Sequence, residues 1–171
     1  FAYNQKYYEN EDKDRTIPAG EAVLKRPKKG TVYSRIRLSP DGNQVAFVRN
    51  EIGKYKVFVT DISRGKTKKV LKGGYKSLQQ KADLSFPLLA WHPSGQYLAV
   101  LREKKGKLWM DHHKSDTVKP DRNKFFYFDK VLDFSYSPNG QEIVLSGIQN
   151  GQSDIFVYNT RSRTSKNLTD D

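Results

Sequence analysis

The sequence predicts an all-β fold, a partial β-propeller of about three four-stranded antiparallel blades preceded by an irregular N-terminal arm. Three observations predict it: a ten-residue segment that occurs three times, short alternating strands separated by hairpin-length turns, and 12% aromatic residues. The segment is LSPDGNQVAF at 38–47, WHPSGQYLAV at 91–100 and YSPNGQEIVL at 136–145. Repetition of one supersecondary unit at this spacing is typical of propellers.

Each copy of the segment predicts a turn between two strands. An apolar residue ends one strand, proline fixes φ for the turn, and Gly42, Gly95 and Gly140 stand where a positive φ is needed. An alternating β-rich run then leads back. The three segments therefore predict equivalent first hairpins of three repeated units.

Alignment of the three repeats with one another gives the boundaries of the repeated units. An offset of 98 residues relates Pro40 to Pro138 and Phe58 to Phe156, and Pro93 divides that interval. Units of roughly 45 residues with four strands are typical of propeller blades. We expect an arm over 1–31 and blades over 32–74, 86–128 and 131–171. In the second blade, the fourth strand is predicted at 124–128, after a loop beginning at His112.

Stacked blades should bury apolar side chains between them, because one sheet cannot cover both of its own faces. We expect Ile36, Leu89 and Phe134 to share one inner-strand position. The layers between blades should contain Ala46, Phe47, Leu98, Val100, Val144 and Leu145. Closed propellers have typically four to eight blades. We therefore expect the missing blades to come from the rest of a parent chain or from another subunit.

Composition excludes several classes of protein. The chain has no cysteine, which removes thiol catalysis, cysteine-bound zinc and iron–sulfur clusters. No apolar run is long enough for a transmembrane segment. Because the sequence begins with Phe1, we expect it to be a processed or excised part of a longer protein.

Motifs for catalysis, cofactors and metals are absent from the sequence or weak. No G-x-S-x-G elbow, Walker loop or calcium loop is present. Asp111, His112, His113 and Asp116 could suggest a metal, but adjacent strand residues point to opposite faces, so a solvated loop is the favoured interpretation. His92 is expected to hydrogen-bond the backbone of its own turn. We predict no enzymatic activity, no cofactor and no metal.

The basic residues suggest the partner class. Lys and Arg number 31 against 19 Asp and Glu, a formal net charge of +12. Their spread over turns at both blade ends favours a solvating coat, with an acidic partner next, and the lack of interleaved aromatics argues against nucleic acid. Arg35 and Arg37 could instead pair with blade-edge carboxylates. The candidate partner-binding residues are Arg35, Arg37, Arg102, Lys104 and Lys105.

The repeat in residues 32–171 resembles that of TolB-like β-propeller proteins. Unit one matches best, with Ser39-Pro40-Asp41-Gly42 followed by Val57-Phe58-Val59, Asp61 and Gly65. Unit three has Asn159 and Arg163 in place of Asp61 and Gly65. Unit two departs further, since its turn contains His92 and Ser94.

The resemblance implies a non-enzymatic protein-interaction scaffold of the bacterial envelope, periplasmic or associated with the outer membrane. Such a protein would display propeller loops to a protein partner, such as an envelope lipoprotein or an acidic surface. The alternative is the N-terminal lid propeller of a prolyl-oligopeptidase-like serine peptidase. In that case the catalytic domain would lie outside this chain.

Overall fold

The computed structural model describes residues 29–51, 53–74, 85–114, 121–124 and 128–169. In this part of the chain all regular secondary structure is β-strand, arranged as three four-stranded antiparallel sheets. Each sheet is a blade whose strands are hydrogen-bonded in sequence order, as predicted. The predicted arm over 1–31 lies outside the described residues, apart from residues 29–31.

The twelve strands divide equally among the blades. Blade 1 contains β1 (Thr31–Leu38), β2 (Gln44–Glu51), β3 (Lys54–Asp61) and β4 (Thr67–Gly74). Blade 2 contains β5 (Leu88–Trp91), β6 (Tyr97–Lys104), β7 (Lys107–Lys114) and β8 (Asp121–Lys124). Blade 3 contains β9 (Lys130–Tyr136), β10 (Glu142–Gln149), β11 (Gln152–Asn159) and β12 (Ser165–Asn167). The inner strands β1, β5 and β9 lie next to one another.

Blade 2 differs from the prediction at its outer edge. Strand β7 continues through His113 to Lys114, and β8 occupies 121–124 instead of 124–128. Phe128 is not in a strand but packs its ring against Phe156, 4.8 Å between centroids. Asp111 and His113 are buried, so the solvated loop predicted at this position is wrong. Burial against blade 1 keeps this segment in the sheet.

Two apolar layers join the three blades. We call the face of a blade that is turned toward the next blade in sequence its forward face, and the opposite one its rear face. In the layer between blades 1 and 2, the forward face of blade 1 contributes Ala46, Val48 and Val57. The rear face of blade 2 contributes Leu89, Trp91, Leu98 and Val100. The second layer joins blade 2 to Val131, Phe134, Ile143, Leu145 and Phe156 of blade 3. Blade 2 is covered on both faces, which explains why 98–101 are buried in succession.

Two of the residues predicted in the core are exposed instead. Ile36 is 62% exposed and Val144 is 41% exposed, whereas Leu89 and Phe134 are buried as predicted. Ile36 lies on the rear side of blade 1, and Val144 lies on the forward side of blade 3. Within the described residues neither face has a neighbouring blade, so these side chains stay in contact with solvent.

Side-chain hydrogen bonds hold the repeated turns. Ser39 Oγ accepts from the Gln44 amide at 2.8 Å and donates to Asp41 Oδ1 at 2.5 Å. Ser137 makes the same pair of bonds with Glu142 and Asn139. In blade 2 the Ser94 amide donates to His92 Nδ1 at 3.2 Å, which confirms the role predicted for His92.

The loops that join the third and fourth strands of blades 1 and 3 have the same backbone geometry with different residues. Asp61 Oδ1 accepts from the Arg64 amide, and Asn159 Oδ1 accepts from the amides of Arg161 and Ser162. Gly65 has φ +61°, and Arg163 at the equivalent position also has φ 61°. Arg163 therefore holds a left-handed backbone conformation that side chains disfavour.

Arg163→Gly is expected to raise the free energy of unfolding by about 0.5–1 kcal/mol, because glycine adopts this φ without steric cost. Chemical denaturation monitored by circular dichroism measures the change. Arg161→Gly is the control, since Arg161 is not left-handed. That substitution should lower the free energy of unfolding instead, so equal effects would contradict the assignment.

Candidate interaction surface

The propeller topology places the loops at two ends of the molecule. One end, which we call the turn end, has the β1–β2 and β3–β4 loops and their equivalents. The other, the hairpin end, has the β2–β3 loops and their equivalents together with the entries to the inner strands. At the hairpin end, Lys105-Gly106 and Asn150-Gly151 both have positive φ throughout, as tight two-residue type I′ turns require. Both hairpins therefore have tight two-residue tips.

Several exposed lysines lie at the hairpin end. Lys104 lies directly across the β6–β7 hairpin from Lys107, and Lys105 occupies its tip. All three side chains are exposed and make no ion pair with any described residue. Lys104 and Lys107 therefore place two positive charges opposite each other on paired strands. This repulsion disfavours the pairing unless solvent or an anion screens it. The tip therefore favours an anionic neighbour.

Blade 1 adds a shallow basic pocket to the same end. Lys54, Lys56 and Lys72 line a cavity of about 320 Å³ together with Tyr55. Tyr55 lies over Gly73 so closely that a Cβ there would overlap the phenol ring. Lys56 is bonded to Glu51 at 3.2 Å, while Lys56 and Lys72 face each other across β3 and β4. We call Lys54, Lys72, Lys104, Lys105 and Lys107 the basic hairpin end.

The two predicted inner-strand arginines hold the blades together. Arg37 Nε donates to the Leu89 carbonyl at 3.2 Å, and Arg37 Nη2 contacts Asp133 Oδ1 at 3.3 Å. Arg37 therefore contacts the inner strands of both other blades. Arg35, at a β-bulge with φ 53°, donates from Nη2 to the Ser85 carbonyl at 3.0 Å. Both guanidinium groups already have protein partners.

Arg102 lies inside the molecule. Its Nε is 2.6 Å from Asp111 Oδ2, and the two side chains are 12% and 0% exposed. Asp111 is on the rear side of blade 2, among the side chains packed against blade 1. Of the five predicted partner-binding residues, the structure brings Lys104 and Lys105 together at one exposed tip and places the arginines in internal contacts.

Sequence reasoning missed the lysines that flank the other hairpin positions. Lys54, Lys72 and Lys107 were not among the candidates, although Lys54 and Lys107 each follow a turn glycine at the same end. The sequence signal that could have found Lys54 and Lys107 is their position directly after the glycine of a hairpin turn. Two lysines that directly follow equivalent turns emerge at the same end of a propeller.

A polar groove at the turn end is a second surface feature. It has a volume of about 500 Å³ and is lined by the first turns of blades 1 and 2, including Asp41, Gln44, Pro93 and Gln96. Hydrogen bonds from the Ser39 hydroxyl and the Asn43 amide lower the pKa of Asp41. The Asp41 carboxylate therefore already accepts hydrogen bonds from residues of its own turn.

Titratable side chains also meet where blades 2 and 3 join. His112 Nε2 lies 2.9 Å from the Tyr136 hydroxyl, and the His92 ring packs edge-on against Tyr136 at 5.1 Å. Burial raises the pKa of Tyr136 well above its ordinary value. The phenol therefore stays neutral at physiological pH and acts here as a packed hydrogen-bonding group.

Metal and membrane features were searched over the described ranges. No group of three or more His, Asp or Glu side chains there is arranged to hold a metal ion, and Asp116 lies outside those ranges. His112 and His113 point to opposite blade faces, as strand alternation predicts. The same ranges contain no helix with the length and apolarity to cross a membrane.

Comparison with known proteins identifies the fold. No protein-family profile and no curated protein matches the sequence. The chain is similar in structure to TolB from Acinetobacter baumannii, with a TM-score of 0.62 and 17% identity, covering 81% of this chain and 32% of TolB. It is also similar to the β-propeller domain of the Trilobed protease from Pyrococcus furiosus, with a TM-score of 0.60 and 12% identity, covering 83% and 44%.

A further similar structure comes from a study of two prolyl endopeptidases, with a TM-score of 0.59 and 14% identity, covering 84% of this chain and 23% of that one. At these identities the likeness defines the fold alone. The chain therefore has a TolB-like β-propeller fold, and it spans about a third of the length of TolB.

The Arg102–Asp111 pair yields a stability test. Arg102→Met is expected to lower the free energy of unfolding by about 3–5 kcal/mol, because it deprives a fully buried carboxylate of its ion pair. The double variant Arg102→Met/Asp111→Leu should recover most of that loss. Lys104→Met, at an exposed site two residues away, should change it by less than about 0.5 kcal/mol. A single variant as stable as this control, in urea denaturation, would contradict the structural role.

Proposed function

We propose that the chain is a non-enzymatic protein-interaction module and that its basic hairpin end binds an acidic protein surface. The observation that supports this most strongly is the tight β6–β7 hairpin, which holds Lys104, Lys105 and Lys107 exposed and close together. Charge of one sign on a preformed surface accelerates encounter with an oppositely charged partner and orients it.

The chemistry of the side chains favours lysines over arginines in this role. Arg37 and Arg102 already donate to Leu89, Asp133 and Asp111. A lysine ammonium at an exposed tip keeps its donors available and adapts to carboxylates in different positions. The basic hairpin end is therefore suited to a run of Asp and Glu side chains.

The cellular setting is part of the proposal. Similarity to TolB supports a scaffold of the bacterial envelope, in the periplasm or associated with the outer membrane, with an envelope lipoprotein as one candidate partner. Nucleic acid fits less well, because single-strand binding relies on stacking aromatics beside the cations. The aromatic residue in the lysine-lined pocket, Tyr55, is packed over Gly73.

The binding test uses fluorescence anisotropy of a labelled poly-glutamate peptide at low salt. Lys104→Glu/Lys105→Glu should weaken binding about tenfold or more, because it reverses two charges at the tip. Arg161→Glu/Lys166→Glu, exposed at the turn end, makes the same change of charge and is the control. Equal loss in the two variants would contradict a localised site. Tighter binding of a single-stranded oligonucleotide than of the peptide would replace the acidic protein by nucleic acid.

A second candidate function follows from the peptidase structures that share this fold. The chain could form part of the propeller that accompanies a serine peptidase domain, as the likeness to prolyl endopeptidase and Trilobed protease structures suggests. Such a propeller would restrict access of substrate to a catalytic domain on other residues.

Both candidates place the catalytic chemistry outside this chain, so the proposal that the chain itself is non-enzymatic can be tested directly. The purified 171-residue chain is expected to release no fluorophore from a proline-containing fluorogenic peptide above the rate in buffer. Catalytically inactive serum albumin at the same concentration is the control. Hydrolysis that co-elutes with the chain and is blocked by a serine-directed inhibitor would contradict the non-enzymatic proposal.

A further inference from the structure

The two junctions between neighbouring blades differ at the turn end. Between blades 2 and 3, the His92 ring packs edge-on against Tyr97 at 5.9 Å and lies so close to Gly140 that a Cβ there would overlap the imidazole. Between blades 1 and 2, the repeat places Ser39 at the position of His92. Gln44 stands at the position of Tyr97. Neither replacement has a ring, and the polar groove of about 500 Å³ lies at this place.

The groove has the walls of a slot for a planar group. Gly95, which is equivalent to Gly140, lines it, and a Cβ built on Gly95 would have no neighbour within 4 Å. Pro40 and Pro93 add apolar walls. A planar group from another molecule can therefore lie against Gly95 as the His92 imidazole lies against Gly140 in the next junction.

The Asp41 carboxylate is a hydrogen-bond acceptor on one wall of the groove. Its Oδ1 accepts from Ser39 Oγ and from the Asn43 amide, while its Oδ2 accepts from Asn43 Nδ2 at 3.0 Å. Each carboxylate oxygen has two lone pairs, so Oδ2 has capacity for a further donor. The hydrogen bonds that lower the pKa of Asp41 also keep this group ionised at neutral pH.

Gln44 supplies a second acceptor. Its Oε1 is buried and accepts no hydrogen bond from the described residues. The terminal amide torsion of glutamine is broad, so this oxygen can turn toward the groove, and the rotation breaks no hydrogen bond at Oε1. A donor in the groove would then satisfy a polar atom that is otherwise buried without a partner.

The charges around the groove allow a cation to enter it. Asp41 is the only charged side chain among the described residues that line the groove. Arg64, in the neighbouring loop of blade 1, is 75% exposed and lies 4.0 Å from Asp61. Lys114 lies over the Tyr97 ring at 5.5 Å, on the forward face of blade 2, whereas the groove is on the rear side of that blade. The charge in the groove itself is therefore negative.

We propose that this groove binds the guanidinium group of an arginine side chain from a partner protein. Guanidinium is planar and permanently charged, and it carries only hydrogen-bond donors, held in a fixed fork. These properties match a slot whose equivalent holds a planar ring and whose acceptors are a carboxylate and an amide oxygen. A lysine ammonium has the charge without the plane, and an aromatic ring has the plane without the charge. The site lies at the opposite end from the basic hairpin end and does not depend on the acidic ligand proposed there.

A titration followed by nuclear magnetic resonance tests the ligand class. The isotopically labelled 171-residue chain is mixed with the tripeptides Gly-Arg-Gly, Gly-Lys-Gly and Gly-citrulline-Gly, all with blocked termini. The arginine peptide should shift the amide signals of Gly95 and Gln96 and bind at least about fivefold more tightly than either other peptide. Equal affinity for arginine and lysine, or signals that do not move, would overturn the proposal. Tighter binding of Gly-Trp-Gly would overturn it in favour of an uncharged aromatic ligand.

The Asp41→Asn variant tests the role of the charge. It should weaken binding of the arginine peptide about fivefold or more, because a charged acceptor is lost. The turn should keep its structure, because Asn139 accepts the equivalent hydrogen bonds from Ser137 Oγ and the Gln141 amide in blade 3. Glu103→Gln removes the same charge at an exposed position of the hairpin end and is the control. Equal weakening by the two variants would overturn a localised site.

A double variant tests the position of the slot. Ser39→His/Gln44→Tyr copies the residues that fill the junction between blades 2 and 3, so its new rings should occupy the groove and abolish the shift of the Gln96 amide signal. Circular dichroism should show an unchanged fold. Binding of the arginine peptide that persists in the folded double variant would overturn the site. If the double variant does not fold, the comparison of Asp41→Asn with its control decides the question.

Discussion

Each blade is a sheet with apolar side chains on both faces, and water is excluded from such a sheet only when something packs on each face. Blade 2 meets this requirement: Leu98 to Leu101 are buried in succession because alternate side chains enter different layers. Burial of one such side chain contributes about 1.5–3 kcal/mol. Blade 2 is buried on both faces because it has a blade on each side. Ile36 of blade 1 and Val144 of blade 3 are exposed because no described blade packs on their faces.

Polar contacts also join neighbouring blades through their inner strands. Arg37 contacts Leu89 and Asp133, while Trp91 Nε1 donates back to the Arg37 carbonyl at 3.1 Å. The apolar layers alone would allow sliding, because hydrophobic contact has no direction. Hydrogen bonds from one guanidinium to strands β5 and β9 add directional contacts between the blades. Arg37, a candidate partner-binding residue in the sequence, therefore links the inner strands of all three blades.

The repeat in the sequence was sufficient to predict the architecture, because the turn residues and strand lengths are local signals. It predicted three four-stranded blades and the hydrogen-bonding role of His92. Burial in the terminal blades depended on a neighbour that local pattern does not show, so Ile36 and Val144 were predicted in the core and are exposed. Arg102 was predicted at the surface because of its charge. It is buried instead, because it forms an ion pair with the buried Asp111 on the neighbouring strand.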